Sequence, residues 1–152
     1  MFILNLPGFE YKLRKKEGKK FIFDDFRRKF VQLSPEEWVR QHFCHYLIAH
    51  KNYPAGRIAN ECSIRLEGLS KRCDTIVYNA QMEVFMLVEY KAPDVILNQE
   101  VFNQIVRYNW VLKAKYLTVS NGMNHYCCRM DYENNKVEFL EEIPDYSEDR
   151  KT

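Results

Sequence analysis

Val84-Phe85-Met86-Leu87-Val88-Glu89-Tyr90-Lys91 is the stretch of sequence that decides the fold. It is continuously apolar up to Val88, which is typical of a central strand covered on both faces. Charge follows at Glu89 and Lys91, and a two-residue spacing on a strand puts both side chains on the same face. Tyr90 then points the other way. The pattern predicts a carboxylate and an ammonium group at the end of a buried strand.

The segments around this strand predict a mixed α/β layer fold with one central sheet. Ser34-Pro35-Glu36-Glu37 is a helix start, with Ser34 as the N-cap and Glu37 at the position that completes a capping box. This helix runs to about His50, and a second helix is expected over residues 98–113. Strands are expected at 9–14 and 19–23, which form a hairpin, and at 58–66, 74–78, 84–88, 116–120, 126–130 and 136–140.

The length of 152 residues is usual for one domain and allows a core that needs neither disulfides nor a metal. We therefore predict a single domain over residues 1–152. Within it, residues 1–33 form an N-terminal β-hairpin extension, residues 34–146 form the core, and residues 147–152 form a tail.

Composition excludes several classes of protein. With 46% hydrophobic and 29% charged residues, the chain is neither disordered nor membrane-like. No apolar run is long enough to span a bilayer, and the first residues lack the features of a secretory signal. The five cysteines are irregularly spaced and include no CxxC pair, which argues against a disulfide framework or a zinc site. These features predict a cytoplasmic protein with no membrane association.

The net charge of +2 is unevenly spread along the chain. Residues 10–29 are strongly basic, whereas residues 138–149 are mostly acidic. The basic segment has two interpretations of equal weight. It either contacts phosphates, or it is a solvated hairpin whose lysines protect an exposed edge against aggregation.

A second carboxylate is expected beside Glu89. Asp74 begins the preceding strand, and a short turn at residues 79–81 would let the two strands pair. Asp74, Glu89 and Lys91 would then converge at one end of the sheet. Two hard carboxylates suit Mg²⁺, and a lysine can orient a water and stabilise charge on a phosphate. This combination predicts phosphodiester hydrolysis.

The same residues resemble a known family. Asp74, fourteen intervening residues and Glu89-Tyr90-Lys91 resemble the PD-(D/E)XK nuclease motif. Gln104-Ile105-Val106-Arg107-Tyr108 resembles the QxxxY motif of its RecB-like branch. The stretch from Ser34 to about Tyr146 resembles the N-terminal domain of type I restriction enzyme R subunits, in particular stand-alone bacterial forms. The resemblance implies a restriction-endonuclease-like fold, in which helices flank a mixed central β-sheet.

The resemblance also implies a role for each motif residue. Asp74 and Glu89 would be metal ligands, helped by the backbone carbonyl of Tyr90, and Lys91 would be the catalytic lysine. A glutamate of the first helix, Glu37 or alternatively Glu36, would add a ligand directly or through water.

Further residues would contact DNA. Gln104 and Tyr108 would lie at the site, and Arg72 and Arg107 flank the motif residues. Two departures from the family pattern are that Cys73 replaces the motif's proline and that neither a helicase motor nor a P-loop is present.

Structural explanations compete with these roles. Glu37 also completes the capping box, and capping and metal ligation are equally favoured. Gln104 and Tyr108 have the alternatives of a surface glutamine and a core tyrosine. Glu61 is expected to face solvent, and the histidines are expected to be packed or exposed rather than metal ligands.

The resulting hypothesis is a Mg²⁺-dependent DNA endonuclease domain in which Mn²⁺ can substitute. Its partners would be DNA and a separate helicase or restriction-modification subunit, and a homodimer would suit double-strand cutting. One alternative is a nucleic-acid-binding or partner-docking module that keeps the nuclease fold but has no activity of its own. Another is a structural protein in which the ion cluster only fixes the register of the sheet.

Overall fold

The structure is a computed structural model that describes residues 2–148. Part of the predicted tail, residues 149–152, lies outside the described residues. The two helices are α1 (Pro35–Lys51) and α2 (Gln99–Asn109). The strands are β1 (Leu13–Lys16), β2 (Lys19–Asp24), β3 (Lys29–Gln32), β4 (Ile58–Leu66), β5 (Leu69–Tyr78), β6 (Val84–Tyr90), β7 (Tyr116–Ser120), β8 (His125–Asp131) and β9 (Lys136–Leu140).

Strands β4 to β9 form the central sheet in the order β4-β5-β6-β7-β8-β9, and β1 to β3 form a separate three-stranded sheet. β6 and β7 pair in parallel and are connected through α2, whereas the other neighbouring strands of the central sheet pair antiparallel. The fold is therefore α/β with a mixed sheet between two helices. This architecture is consistent with the expected restriction-endonuclease-like class.

Each face of the central sheet has its own apolar core. On one face α1 packs against β6, with Phe43 and Leu47 meeting Met86 and Val88. On the other face α2 contributes Phe102, and its core includes Leu87 of β6. Phe85 to Val88 are at most 2% exposed, which confirms the prediction of a central strand covered on both faces.

Helix α1 begins as predicted, but its capping box is only half formed. The Glu37 N–H donates to Ser34 Oγ at 3.0 Å, and Pro35 occupies the first helical position. The Glu37 side chain turns away from the cap to meet Arg27 and Arg40. The helix ends where Asn52 adopts a left-handed conformation with φ of 63°.

Helix α2 is shorter than the predicted span of residues 98–113. Asn98 is its N-cap and accepts from the Val101 N–H, but regular α-helix stops at Asn109. The Asn109 side chain donates to the Ile105 carbonyl at 2.8 Å, so it competes with the backbone for that acceptor. A turn of 3-10 helix at Trp110–Leu112 completes the segment, and Lys113 ends it with φ of 54°.

The hairpin between β4 and β5 is longer than expected. The prediction began β5 at Asp74 and placed a turn from Gly68 to Lys71, but β5 starts at Leu69. A two-residue turn is made by Glu67 and Gly68, with φ of 50° and 81°. Two successive positive φ angles match the twist of a tight hairpin, so the ladder extends close to the turn.

The N-terminal extension has one strand more than predicted. The turn at Glu17 and Gly18 is confirmed, but β1 covers Leu13–Lys16 rather than residues 9–14, and β3 joins the hairpin. The inner face of this sheet packs on α1 through Ile22, which is fully buried. The third strand was not predicted because the Asp24–Arg28 turn that precedes it contains neither glycine nor proline, the usual sequence signals of a turn.

Within the described part of the chain, neither helix has the length and apolar character to cross a membrane.

Candidate active site

Asp74 in the middle of β5 lies beside Glu89 at the C-terminal end of β6. Thr75 pairs with Val88, so the next residues outward on the two antiparallel strands are Asp74 and Glu89. The Tyr90 N–H donates to Asp74 Oδ2 at 2.9 Å, which fixes the Asp74 carboxylate beside the end of β6. The carboxyl groups of Glu89 and Asp74 are close enough to interact electrostatically. The convergence expected from the sequence is therefore present in the structure.

A third carboxylate joins them because β4 is distorted at Glu61. Asn60 pairs with Thr75 and Cys62 with Cys73, whereas Glu61 has a left-handed φ of 52°. Asn60 bonds Thr75 on the α1 side of the sheet, but Cys62 packs into the core on the α2 side. Glu61 stands at this change of face, opposite Asp74. The expectation that Glu61 faces solvent is wrong, because its side chain is 27% exposed and ion-paired within the cleft.

These residues share a cavity of about 460 Å³, which we call the acidic cleft. The first half of α1, the middle of β4 and β5, and the C-terminal end of β6 form its walls. Its lining residues are Ser34, Glu36, Glu37, Arg40, Glu61, Asp74, Glu89, Tyr90 and Lys91.

Arg40 is the buried cation of the acidic cleft, and no sequence motif pointed to it. Its guanidinium donates to Glu37 Oε1 at 2.5 Å and to Glu61 Oε1 at 2.6 Å. It also lies 5.7 Å from the centre of the Tyr90 ring. Arg40 thus ties the start of α1 to the distorted part of β4. At the outer end, Arg72 donates to Glu61 Oε2 at 2.8 Å.

The Glu37 carboxylate is fully engaged by its neighbours. Arg27 Nη2 donates to both of its oxygens at 2.8 Å, and Gln41 Nε2 donates at 3.0 Å, in addition to Arg40. Arg27 also pairs with Asp24 of the N-terminal sheet. Glu36, by contrast, is exposed at the mouth of the cleft, and its carboxylate forms no hydrogen bond or ion pair within residues 2–148.

Burial, followed by repulsion from Asp74, raises the pKa of Glu89 to about 8, although Lys91 and Arg40 act in the opposite direction. Two carboxyl groups in this position favour sharing a proton, or binding a cation in its place. Burial also disfavours the Glu61 carboxylate, but Arg72 and Arg40 hold the pKa of Glu61 below its usual value. The cleft therefore combines one carboxyl pair that attracts positive charge with another carboxylate that is already neutralised.

The donor set fits Mg²⁺. Asp74 and Glu89 offer carboxylates from adjacent strands, and the backbone carbonyl of Tyr90 lies between Glu89 and Lys91. Magnesium commonly takes one or two carboxylates and keeps several waters. Among residues 2–148, no three histidine, cysteine, aspartate or glutamate side chains are grouped as a complete metal site. The fit therefore relies on two carboxylates, the backbone and solvent.

Lys91 lies in the acidic cleft as predicted, whereas Tyr90 belongs to the α1-side core and also lines the cleft. Lys91 is half-buried and lines the acidic cleft, and its backbone N–H donates to the Ser120 carbonyl at 2.9 Å. The Tyr90 ring is buried on the α1 side, where its hydroxyl lies 2.9 Å from Thr75 Oγ1. The anchored Tyr90 ring fixes the end of β6, from which Glu89 and Lys91 reach the acidic cleft.

The residues expected on α2 lie elsewhere. Gln104 and Arg107 are exposed, and Tyr108 is 46% exposed; none of them lines the acidic cleft. Lys71 Nζ donates to the Tyr108 carbonyl at 2.8 Å and sits 4.0 Å from the centre of its ring. Tyr108 is thus neither a core residue nor a cleft residue, and it covers the start of β5.

Three of the four histidines occupy packed positions, and none of the four lines the acidic cleft. His42 Nδ1 is 2.8 Å from the Trp38 carbonyl, and His45 stacks on Phe9. His125 lies 2.7 Å from Ser120 Oγ and joins the N-terminal segment through the Asn5 carbonyl at 3.0 Å.

Comparisons with known proteins agree with this architecture. No curated protein matches the chain. A family model described as the type I restriction enzyme R protein N terminus matches residues 35–144. The match runs from the first residue of α1 past the last strand of the central sheet and includes every residue of the cleft lining except Ser34. Since it covers more than two thirds of the chain, the protein belongs to the type I restriction enzyme R protein N-terminus family.

Proposed function

We propose that this domain is a Mg²⁺-dependent DNA endonuclease that hydrolyses phosphodiester bonds in the acidic cleft. The observation that carries the proposal is the convergence of Asp74, Glu89 and Lys91 in one cavity at the end of a buried strand. Burying charged groups is costly, and a buried ion pair often contributes little to the stability of the folded state. A hydrolytic reaction would explain why charged groups occupy this position.

Asp74, Glu89 and the Tyr90 carbonyl would hold Mg²⁺, and Mn²⁺ can substitute. When bound, the ion supplies Lewis acidity toward the scissile phosphate. The first helix offers Glu36 and Glu37, and the contacts favour Glu36 as the additional carboxylate. Glu37 would have to leave Arg27, Arg40 and Gln41 to become a direct ligand. Glu37 therefore acts through Arg40, whose position it fixes.

Lys91 is the catalytic residue of the proposed reaction. Its side chain shares the cleft with Glu89, and the attraction of Lys91 favours the charged form of the Glu89 carboxyl group. From there it can donate hydrogen bonds to the attacking water and to the phosphate oxygen on which charge grows. Tyr90 restricts the movement of the neighbouring Lys91 backbone, because the Tyr90 hydroxyl is anchored at Thr75 Oγ1.

DNA is the proposed substrate, and other restriction-modification subunits, including a helicase, are the proposed partners. Arg72 and Arg107 are exposed cations that can contact phosphates. Gln104 and Tyr108 would extend this contact surface from α2 rather than act inside the cleft. A two-fold homodimer would present two clefts to the two strands of a duplex. The core at residues 34–146 and the extension at 1–33 would work as one domain.

The decisive experiment incubates the purified protein with plasmid and with linear single-stranded DNA, in Mn²⁺ or in EDTA. Lys91→Ala is compared with Lys136→Ala, which removes an exposed lysine on β9. We expect metal-dependent cutting that Lys91→Ala lowers at least about 100-fold and Lys136→Ala leaves unchanged. Undiminished cutting by a correctly folded Lys91→Ala protein would exclude the proposed catalytic residue.

A binding module without independent activity is the second candidate. It is favoured by the small donor set, since the described residues provide a carboxyl pair rather than a grouped set of three ligands. Under this alternative both proteins bind DNA in EDTA and neither cuts it in Mn²⁺. Cutting that appears only after a helicase subunit is added would instead show a nuclease that depends on its partner.

A further inference from the structure

The outer face of the N-terminal sheet combines cations with aromatic rings. The register places Arg14 opposite Phe21, Lys16 opposite Lys19 and Phe23 opposite Phe30. Alternation along the strands puts these side chains on the face directed away from α1, whereas Ile22 is buried on the inner face. The outer face is defined by Lys12, Arg14, Lys16, Lys19, Phe21, Phe23 and Phe30.

The cations of the outer face have no acidic partners. Lys12, Arg14, Lys16 and Lys19 are all exposed, and none forms an ion pair within residues 2–148. Lys16 and Lys19 occupy directly opposed positions, an arrangement that destabilises an antiparallel pair. Lys15 and Lys20 repeat the arrangement on the other face. Four lysines at one hairpin end therefore repel each other until an anion neutralises them.

The aromatic rings of the outer face belong to neither hydrophobic core. Phe21, Phe23 and Phe30 are half-buried, and neither core cluster includes them. The Phe23 and Phe30 rings are 5.3 Å apart, and the Arg14 guanidinium lies 4.0 Å from the centre of the Phe30 ring. An arginine over an aromatic ring forms a flat platform on which a nucleobase can stack.

A cavity of about 770 Å³ continues from the outer face. Lys12 and Phe23 belong to both, and Phe9, Tyr11, Asp25 and His45 line the rest together with Glu10. The Phe9 and His45 rings are stacked at 4.2 Å, and His45 Nε2 is 3.2 Å from an Asp25 oxygen. Aromatic walls with a few polar groups are typical of pockets that hold small planar ligands.

We propose that the outer face and its adjoining cavity bind single-stranded nucleic acid, with phosphates on Lys12, Arg14, Lys16 and Lys19 and bases on the phenylalanine rings. The charges select an anion, and the rings distinguish a strand with accessible bases from a duplex whose bases are stacked internally. The segments that build this surface precede residue 35, where the family match begins; the His45 side chain of α1 closes the cavity.

This binding goes beyond the proposed nuclease activity, because it requires neither a metal nor an intact acidic cleft. The two sites are nevertheless connected. Arg27, in the turn between β2 and β3, donates to Glu37, which in turn holds Arg40 in the acidic cleft. A strand held on the outer face would therefore lie on an element that is fixed directly to the cleft.

Fluorescence anisotropy in EDTA tests the proposal with labelled oligothymidylate and duplex DNA of about 20 nucleotides, a length that covers one or more single-strand sites. The Lys16→Gln/Lys19→Gln protein is compared with Lys113→Gln/Lys136→Gln, which loses the same charge elsewhere. We expect the first pair to raise the single-strand Kd about tenfold and to reduce the salt slope by about 1.4. The control pair should change neither.

The aromatic part is tested with Phe30→Leu against Phe139→Leu, an exposed phenylalanine on β9. We expect Phe30→Leu to weaken single-strand binding about tenfold and duplex binding less than twofold. Circular dichroism melting establishes that every variant is folded. Relief of the lysine repulsion should leave the Lys16→Gln/Lys19→Gln protein at least as stable as the parent.

Several results would overturn the proposal. They are absence of single-strand binding by the parent protein, equal weakening by the control pair, and an unchanged single-strand Kd in Phe30→Leu. Competition by polyglutamate as strong as by oligothymidylate would also overturn it, and would point to an acidic protein partner. None of these results depends on cutting, so they are independent of the nuclease assay.

Discussion

The two helices contribute to the candidate site in opposite ways. On α1, Glu37 and Arg40 are buried, and their charges are matched by Arg27 and Glu61. On α2, Gln104 and Arg107 are exposed and carry no such network. The family resemblance implied site residues on both helices, yet only α1 lines the acidic cleft. A motif on a helix therefore does not by itself place its residues in a site, whereas buried and mutually satisfied charge marks the residues that build it.

The largest difference between the two helices is expected when the charge network of α1 is broken. Arg40→Met leaves Glu61 without its buried partner and should lower the free energy of unfolding by about 3 kcal/mol. Arg107→Met on α2 should change it by less than about 0.5 kcal/mol. Urea unfolding followed by circular dichroism measures both. Equal losses in the two variants would show that burial of the α1 network has no energetic consequence.

Metal binding should depend on the strands that α1 covers and not on α2. At about 100 times its Kd, Mg²⁺ or Mn²⁺ should stabilise the native protein by about 2.7 kcal/mol, which is about 8 °C in Tm for this size. Asp74→Asn should abolish the shift, and Gln104→Ala should preserve it. A Tm that responds equally to Mn²⁺ in Asp74→Asn would place the metal elsewhere.

Substitutions on α2 should affect DNA affinity rather than chemistry. Gln104→Ala and Tyr108→Ala are each expected to raise KM for cutting up to about tenfold, while kcat stays within about twofold. Lys91→Ala should lower kcat instead. Steady-state kinetics with a defined oligonucleotide separates the two effects. A fall of kcat in Gln104→Ala as large as that in Lys91→Ala would show that α2 contributes directly to the chemical step.

The smallest expected effect compares two histidines within α1. Burial lowers the pKa of His42 below 6.5, so the unfolded chain takes up the proton first as the pH falls. The stabilisation is present above pH 6.5 and is lost as the pH falls toward the folded-state pKa. His42→Gln should therefore flatten the dependence of unfolding free energy on pH between 7 and 5.5.

His50→Gln is the matched control, because His50 is exposed on the same helix. It should leave the pH dependence unchanged. Burial also lowers the pKa of the neighbouring His45, so a residual slope is expected in His42→Gln. Parallel pH profiles for the parent and His42→Gln would contradict the assignment of a neutral buried His42.

Much of the fold was predictable because its signals are local. The apolar run of β6, the Ser34 cap and the Glu17-Gly18 turn each lie within a few residues of sequence. The meeting of Asp74 with Glu89 also followed, since two antiparallel strands joined by a short turn bring residues at similar distances from the turn together. These features required no knowledge of contacts between distant segments.

The parts that sequence reasoning missed depend on distant contacts. Arg40 looked like an ordinary helical arginine, and only the approach of β4 to α1 makes it the buried cation of the cleft. Glu61 reaches the cleft because its backbone is left-handed within a strand. A glutamate gives no sequence signal for this conformation, which non-glycine residues rarely adopt. The third N-terminal strand was missed because its preceding turn is made of charged residues.

The backbone of Glu61 has a consequence for how this protein can change. A non-glycine residue in the left-handed region gives up about 1 kcal/mol of backbone energy, and glycine or asparagine would occupy φ of 52° more comfortably. Only the glutamate supplies a carboxylate to Arg40 and Arg72. A glycine or asparagine chosen to relieve the backbone strain at Glu61 would therefore remove the ion pairs with Arg40 and Arg72 from the cleft. At this position, a gain in backbone energy and the proposed activity require different residues.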